Sequence, residues 1–150
     1  MRAVIQRVSQ ASVSIDEKKV ASINEGILVL LGIETQDTKE DSEWLSNKIS
    51  SLRIFSDKDG KMNKSVTEVN GEVIVVSQFT LHAKTKKGNR PSYIKSSRPE
   101  HAMPLYEQFK KDLSDVIGKE VQSGEFAADM KVSLTNDGPV TILIDTKNKE

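Results

Sequence analysis

The stretch Val75-Val76-Ser77-Gln78-Phe79-Thr80-Leu81 places two hydroxyls and a carboxamide directly after a pair of valines. Such groups at the end of an apolar strand bind a polar ligand through directed hydrogen bonds, and either hydroxyl, suitably activated, is a nucleophile for acyl transfer. The plainer alternative is a strand that emerges into solvent at this point. A serine-hydrolase triad needs an imidazole base, and His82 and His101 are the only histidines. If the strand continues, His82 shares a face with Thr80, whereas His101 falls in the first turn of a helix, where a solvated role suits it. No G-x-S-x-G elbow is present. Chemistry here is expected to proceed without a histidine base.

Two further stretches stand out. Between His82 and Arg98 lie six basic residues, Lys84, Lys86, Lys87, Arg90, Lys95 and Arg98, and no acidic one. The whole chain balances 22 basic against 22 acidic side chains, so this is a local positive patch beside the hydroxyl-bearing segment. It fits phosphate-backbone contacts, with Tyr93 available for stacking; the alternative is a solubilising loop. The other stretch is "NDGPVT". Apolar residues alternate before it (Met130, Val132, Leu134) and after it (Val140, Ile142, Ile144), which predicts a strand pair around a turn. Asn136-Asp137-Gly138 suffices for a turn, yet Pro139 then removes a backbone donor where pairing should begin. Either Gly-Pro is turn chemistry alone, or a rigid backbone is aimed at something. An X-Pro bond adopts cis at a cost of only about 0.5–1 kcal/mol, and the sequence leaves the isomer open.

The elements that carry these stretches read as follows. Residues 2–16 alternate, "EKK" makes a polar tip and "VASI" begins a return strand. "GILVLLGI" at 26–33 and "EVIVVSQFTL" at 72–81 are apolar in the manner of strands covered on both faces. Between them, Trp44, Leu45, Ile49 and Leu52 stripe a helix over 38–53 that Asp37 or Thr38 caps, and Asp59-Gly60 tips a short turn. A second helix starts at Ser97-Arg98-Pro99-Glu100, which has capping-box spacing, tolerates Pro104 near its first turns and ends at Gly118. Its predicted buried face is Leu105, Tyr106, Phe109, Leu113, Val116 and Ile117. The expected architecture is one compact α+β domain over residues 1–150, mostly β-sheet and barrel-like, with two main helices. The absence of cysteine excludes disulfides and thiolate catalysis, and no metal-ligand spacing is evident, so neither a metal nor a cofactor is expected. "MRAVIQRVSQ" has no apolar run of signal-peptide length and no later stretch suits a bilayer. A soluble cytoplasmic protein without a membrane partner is expected.

"SQFTL" at 77–81, "NDGPVT" at 136–141 and "QRVSQASV" at 6–13 together resemble the D-aminoacyl-tRNA deacylase family, and "RIFSD", "GKMN" and "FAADM" follow the family's order across essentially the whole chain. The resemblance implies hydrolysis of the ester between a D-amino acid and the terminal adenosine of tRNA, by a homodimer with its active sites at the subunit interface. Ser77, Gln78, Phe79 and Thr80 would line the pocket around the scissile ester. Gly138 and Pro139, joined by a cis bond, would enter from the partner subunit and select chirality, with Arg7 supporting that loop. Phe126 and Met130 would contact the terminal adenosine. Lys84, Lys86, Lys87 and Arg90 would meet the tRNA backbone. For mechanism, Thr80 as nucleophile competes with a scheme in which the substrate's 2′-hydroxyl helps activate water while amides near Phe79 and Thr80 hold the oxyanion; the resemblance favours the second. Glycyl esters, with no side chain to exclude, are expected to be cleaved too. The competing function is a non-catalytic dimeric RNA-binding domain that uses the 84–98 patch and the "SQFTL" edge.

Overall fold

The computed structural model describes residues 1–150. The alternating N-terminus forms β1 (Arg2–Ile15), with Ala3, Ile5, Val8, Ala11 and Val13 buried. Asp16 and Glu17 take left-handed backbone and turn the chain into β2 (Lys18–Ile23), which returns antiparallel along residues 11–15 of β1. Next, β3 (Gly26–Gly32) pairs with residues 2–8 of β1. A crossover made of α1 (Lys39–Ser51) and the small hairpin β4 (Phe55–Ser56) and β5 (Met62–Lys64) leads to β6 (Glu72–Ser77), parallel to β3. The chain then runs through a polar loop into α2 (Pro99–Ile117), short β7 (Gln122–Ser123) and long β8 (Lys131–Asp145).

Why β3 and β6 are apolar throughout is now plain. On one face Ile27, Val29, Leu31, Val73 and Val75 pack against Leu45, Ile49, Phe109 and Leu113 of the helices. On the other, Leu28, Ile74 and Val76 meet Val8, Ala11, Val13, Ala21 and Ile23 in a second core, around which the sheet curls. The strand order is β2-β1-β3-β6-β7, and its two ends approach closely enough that the Ser22 N–H donates to the Gln122 side chain at 2.8 Å. The result is a nearly closed, barrel-like sheet with both helices on one side. No helix is long and apolar enough to cross a membrane.

Four local expectations need correction. The strand predicted over 72–81 stops at Ser77, and Phe79–His82 form a single 3-10 turn. The capping box at Ser97 does not form: Arg98 is the N-cap, with no side-chain bond to the helix, because Pro99 already presets the first turn and the Ser97 N–H is committed to the Ile33 carbonyl at 2.9 Å. Val116 lies at the rim of its helix and is 42% exposed. Finally, "NDGPVT" does not join two strands that pair with each other. Both halves of β8 pair with β1, Lys131–Asn136 against Ser14–Val8 and Thr141–Asp145 against Gln6–Arg2. Five steps along β8, from Asn136 to Thr141, therefore oppose two steps along β1, from Val8 to Gln6, and the surplus residues bulge outward.

The exit of β3 is fastened from several sides. The buried Met1 ammonium donates to Asp37 Oδ1 at 2.5 Å and to Thr146 Oγ1 at 2.6 Å. The other oxygen of Asp37 accepts the Glu34 N–H at 2.8 Å, and Glu34 forms a β-bridge to Ser96. This knot fixes where the polar loop rejoins the sheet.

Candidate active site

The turn that follows Ser77 is the centre of the site. Its start is set by the Gln78 N–H, which donates to the Leu31 carbonyl at 2.8 Å and ends the ladder to β3. Gly32 then lets the turn lie against the strand: a Cβ there would stand 2.9 Å from the Gln78 carbonyl oxygen and 3.0 Å from Leu81 Cβ. Arg2 holds the far end, Nη1 donating to the Leu81 carbonyl at 3.0 Å while Nε pairs with Asp145 at 2.8 Å. Burial tends to raise the Asp145 carboxyl, but the Arg2 hydrogen bond and charge and the Lys147 N–H prevail and hold it below its usual value. Within the turn the Gln78 carboxamide donates to Thr80 Oγ1 at 2.5 Å. As first residues of the turn, Phe79 and Thr80 leave their N–H groups without an acceptor in the chain.

Two hollows flank this turn. A cleft of about 530 Å³ is lined by Ser77, Gln78 and Phe79 on one wall and by Phe126, Ala127, Ala128 and Met130 on the other, over an apolar floor that includes Leu31 and Val76. A wider hollow of about 1010 Å³ begins at Thr80 and Leu81 and continues over Arg2, Trp44 and the β8 residues Ile142, Leu143 and Ile144. The boundary falls at the Phe79–Thr80 peptide. The Phe126 ring is seated by Tyr106 at a centroid distance of 5.6 Å, and Tyr106 donates its hydroxyl to the Val75 carbonyl at 3.0 Å. Burial pushes the Tyr106 hydroxyl up to about 12, so it remains a neutral donor. Ala127 takes a left-handed backbone at φ 64, which turns "FAADM" across the mouth of the cleft.

The structure thus brings Ser77, Gln78, Phe79, Phe126 and Met130 to one cleft and puts Thr80 at the edge of the next. It does not bring Gly138 and Pro139 to either hollow of the same chain. Both are exposed on the β8 bulge, and the bond between them is cis. The bulge is nevertheless firmly built. Arg7 Nε donates to the Asp137 carbonyl at 2.8 Å, and its Nη1 to the Ile54 carbonyl at 2.7 Å. Asn136 spans the base of the bulge, accepting the Val140 N–H at 2.9 Å and donating to Thr141 Oγ1 at 3.0 Å. Gly138 adopts φ +141, a conformation that side chains disfavour.

Neither histidine lines the cleft or the hollow. His82 is buried rather than sharing a face with Thr80, because the strand has ended; its Nδ1 lies 3.9 Å from Glu34, and neither ring nitrogen has a hydrogen-bond partner. His101 is exposed, with Nε2 3.0 Å from the Asp37 carbonyl. Lys84, Lys86, Lys87 and Arg90 are all exposed and take part in no ion pair, on a loop closed by paired backbone bonds between Lys84 and Ser92. Tyr93 meets Phe79 edge-on at 5.0 Å. Sequence reasoning missed Ser96, Ser97 and Pro99 on the cleft wall, since Ser97 and Pro99 read as a helix start and Ser96 carried no distinguishing signal.

The family model for D-Tyr-tRNA(Tyr) deacylases matches residues 4–145. D-aminoacyl-tRNA deacylases of Flavobacterium psychrophilum and Bacteroides fragilis are 66% and 64% identical to this chain over 150 residues, covering all of it and all of each relative. A solved structure of the c-Myc DNA unwinding element binding protein is 40% identical, with a TM-score of 0.92, over 97% of this chain and 98% of its own.

Proposed function

The chain belongs to the D-Tyr-tRNA(Tyr) deacylase family, and from that premise we propose how it hydrolyses the aminoacyl ester of tRNA and why it acts on D-residues. It is a hydrolase that releases a free D-amino acid and tRNA. The observation that carries the mechanistic reading is the boundary at Phe79–Thr80, where two unpaired N–H groups sit between an apolar cleft and a wider hollow. The terminal adenosine takes the cleft, against Phe126 and Met130. The aminoacyl group takes the hollow, and the ester carbonyl crosses the turn between them. Ser77, Gln78, Phe79 and Thr80 surround that ester, and the two amides stabilise its oxyanion. No metal or cofactor enters the scheme.

The hollow is open along β8, where Leu143 is 68% exposed, and the Gly138-Pro139 bulge is exposed on its own chain, outside both hollows. Both features support a homodimer in which each bulge enters the partner's hollow. There it selects by exclusion. The two enantiomers of an aminoacyl ester exchange the places of hydrogen and side chain on the α-carbon. A pocket that grips the D side chain discriminates by only about 1–3 kcal/mol per methylene. Main-chain atoms standing where an L side chain must go reject every L-residue regardless of its identity. Glycine has nothing to exclude, so glycyl-tRNA is cleaved as well. The enzyme acts in the cytoplasm, where charged tRNA is used.

Incubation with D-tyrosyl-tRNA tests the activity directly: cleavage well above the rate in buffer is expected. No cleavage above buffer would leave a non-catalytic RNA-binding domain. The basic loop makes its own prediction. Replacing Lys84, Lys86 and Lys87 together by alanine is expected to weaken tRNA binding and to flatten the log–log salt dependence by about 0.7–0.9 per lost phosphate contact. An unchanged slope in a binding titration at several salt concentrations would make the loop a solubilising surface.

A further inference from the structure

We infer that Ser96 is a positioning residue for the hydrolysis, acting through the Phe79–Thr80 peptide. The inference rests on the ester-hydrolysis reading above and deepens it. Ser96 Oγ donates to the Phe79 carbonyl at 2.9 Å. The peptide is planar and trans, because the only cis bond in the chain is Gly138-Pro139. The Thr80 N–H therefore points opposite to the Phe79 carbonyl, and whatever holds the carbonyl aims the amide.

No other side chain does this. Arg2 holds the Leu81 carbonyl and Gln78 holds the Thr80 hydroxyl, so beyond the backbone bonds of the short 3-10 turn only Ser96 acts on the plane of the Phe79–Thr80 peptide. Packing does not fix it either: Phe79 is 57% exposed and meets Tyr93 only edge-on. Ser96 itself is well placed to act as an anchor. Its N–H donates to the Tyr93 carbonyl at 2.9 Å, its neighbour Ser97 is bonded to Ile33 at 2.9 Å, and it bridges to Glu34 at the exit of β3. A hydroxyl on a rigid backbone thus orients an amide on an exposed turn. The value of a preorganised oxyanion donor lies in being aimed before charge develops.

The test is steady-state hydrolysis of D-tyrosyl-tRNA by the full-length wild type and by Ser96→Ala and Ser96→Thr. Deleting an oxyanion donor costs about 10²–10³ in rate, and loss of its aim costs a part of that, so Ser96→Ala is expected to lower kcat about tenfold. KM should stay within about twofold, since the lost interaction matters only in the transition state. Ser96→Thr, which keeps the hydroxyl, should restore kcat. Thermal midpoints of both variants are measured alongside, and unchanged midpoints are expected because Ser96 is only half-buried. A wild-type kcat in Ser96→Ala, an effect confined to KM, or a loss that threonine does not restore would each overturn the inference. An inactive wild type is a different failure, which removes the ester reading and this inference with it.

Discussion

Gly138→Ala is expected to reduce the preference for D- over L-aminoacyl esters by about two orders of magnitude while leaving the protein folded. A Cβ at this position would stand 2.8 Å from Val140 Cγ2 and 3.0 Å from Arg7 Nη2, at a φ of +141 that alanine resists. Something must shift. Arg7 is not free to yield, because its other nitrogens hold the carbonyls of Asp137 and Ile54. The strain is therefore relieved in the exposed bulge, which is the part that the proposed dimer would aim at the partner's hollow. A displacement of about 1 Å at a positioning element can cost about 10²-fold. Selection by exclusion is sensitive to such a shift, since the gap that opens admits the L side chain. The thermal midpoint should fall only slightly, because Gly138 and Pro139 belong to neither core and Val140 beside them only packs against the edge of the larger one. Initial rates with D- and L-tyrosyl-tRNA, wild type against variant, give the ratio. A variant that keeps the wild-type ratio would remove the bulge from the mechanism.

The second large effect is expected in the substrate rather than the protein. A D-aminoacyl-tRNA ending in 2′-deoxyadenosine is expected to be cleaved about 10²–10⁴-fold more slowly, the worth of a positioned proton-transfer group. Thr80→Ala, by contrast, should keep its activity within about tenfold. Thr80 Oγ1 accepts a hydrogen bond from Gln78 and donates to no base, the carboxylates that share the hollow, Asp145 and Glu150, included. His82 is enclosed behind Gly32 and His101 lies outside both hollows. Asp145 shares the hollow but is paired with Arg2, which makes its carboxylate a weaker base than an isolated one. The acyl-enzyme route lacks an activator, whereas the 2′-hydroxyl of the substrate arrives with the ester. The reverse pattern, an inert Thr80→Ala and an unaffected deoxy substrate, would make Thr80 the nucleophile.

Much of this was legible in the residues. Alternation in 2–16 and the apolar runs at 26–33 and 72–77 specify strands because burial on one face or two leaves that imprint whatever the partner. The hydroxyl-rich segment, the basic loop and Gly-Pro each break the rule of the element they sit in, which is why they drew attention. What stayed hidden was non-local. "SQFTL" keeps a strand-like alternation, and only Gly32, distant in sequence, allows the chain to turn there. The two halves of β8 look like a hairpin because nothing in them reveals that β1 is long enough to pair with both. Ser97, spaced as a helix cap, spends its N–H on Ile33, and Ser96, with no pattern of its own, reaches the Phe79 carbonyl. Pairing across the chain decides such cases, and a single sequence records it only weakly.

Main-chain atoms from a second protomer, standing where an L side chain must pass, are the core of the proposed mechanism. Its most direct test is the rate of ester cleavage on one tRNA charged in parallel with D-tyrosine and L-tyrosine, at equal enzyme concentration. The account predicts rapid loss of the D-ester and an L-ester that decays no faster than in buffer. Equal cleavage of both esters would contradict it.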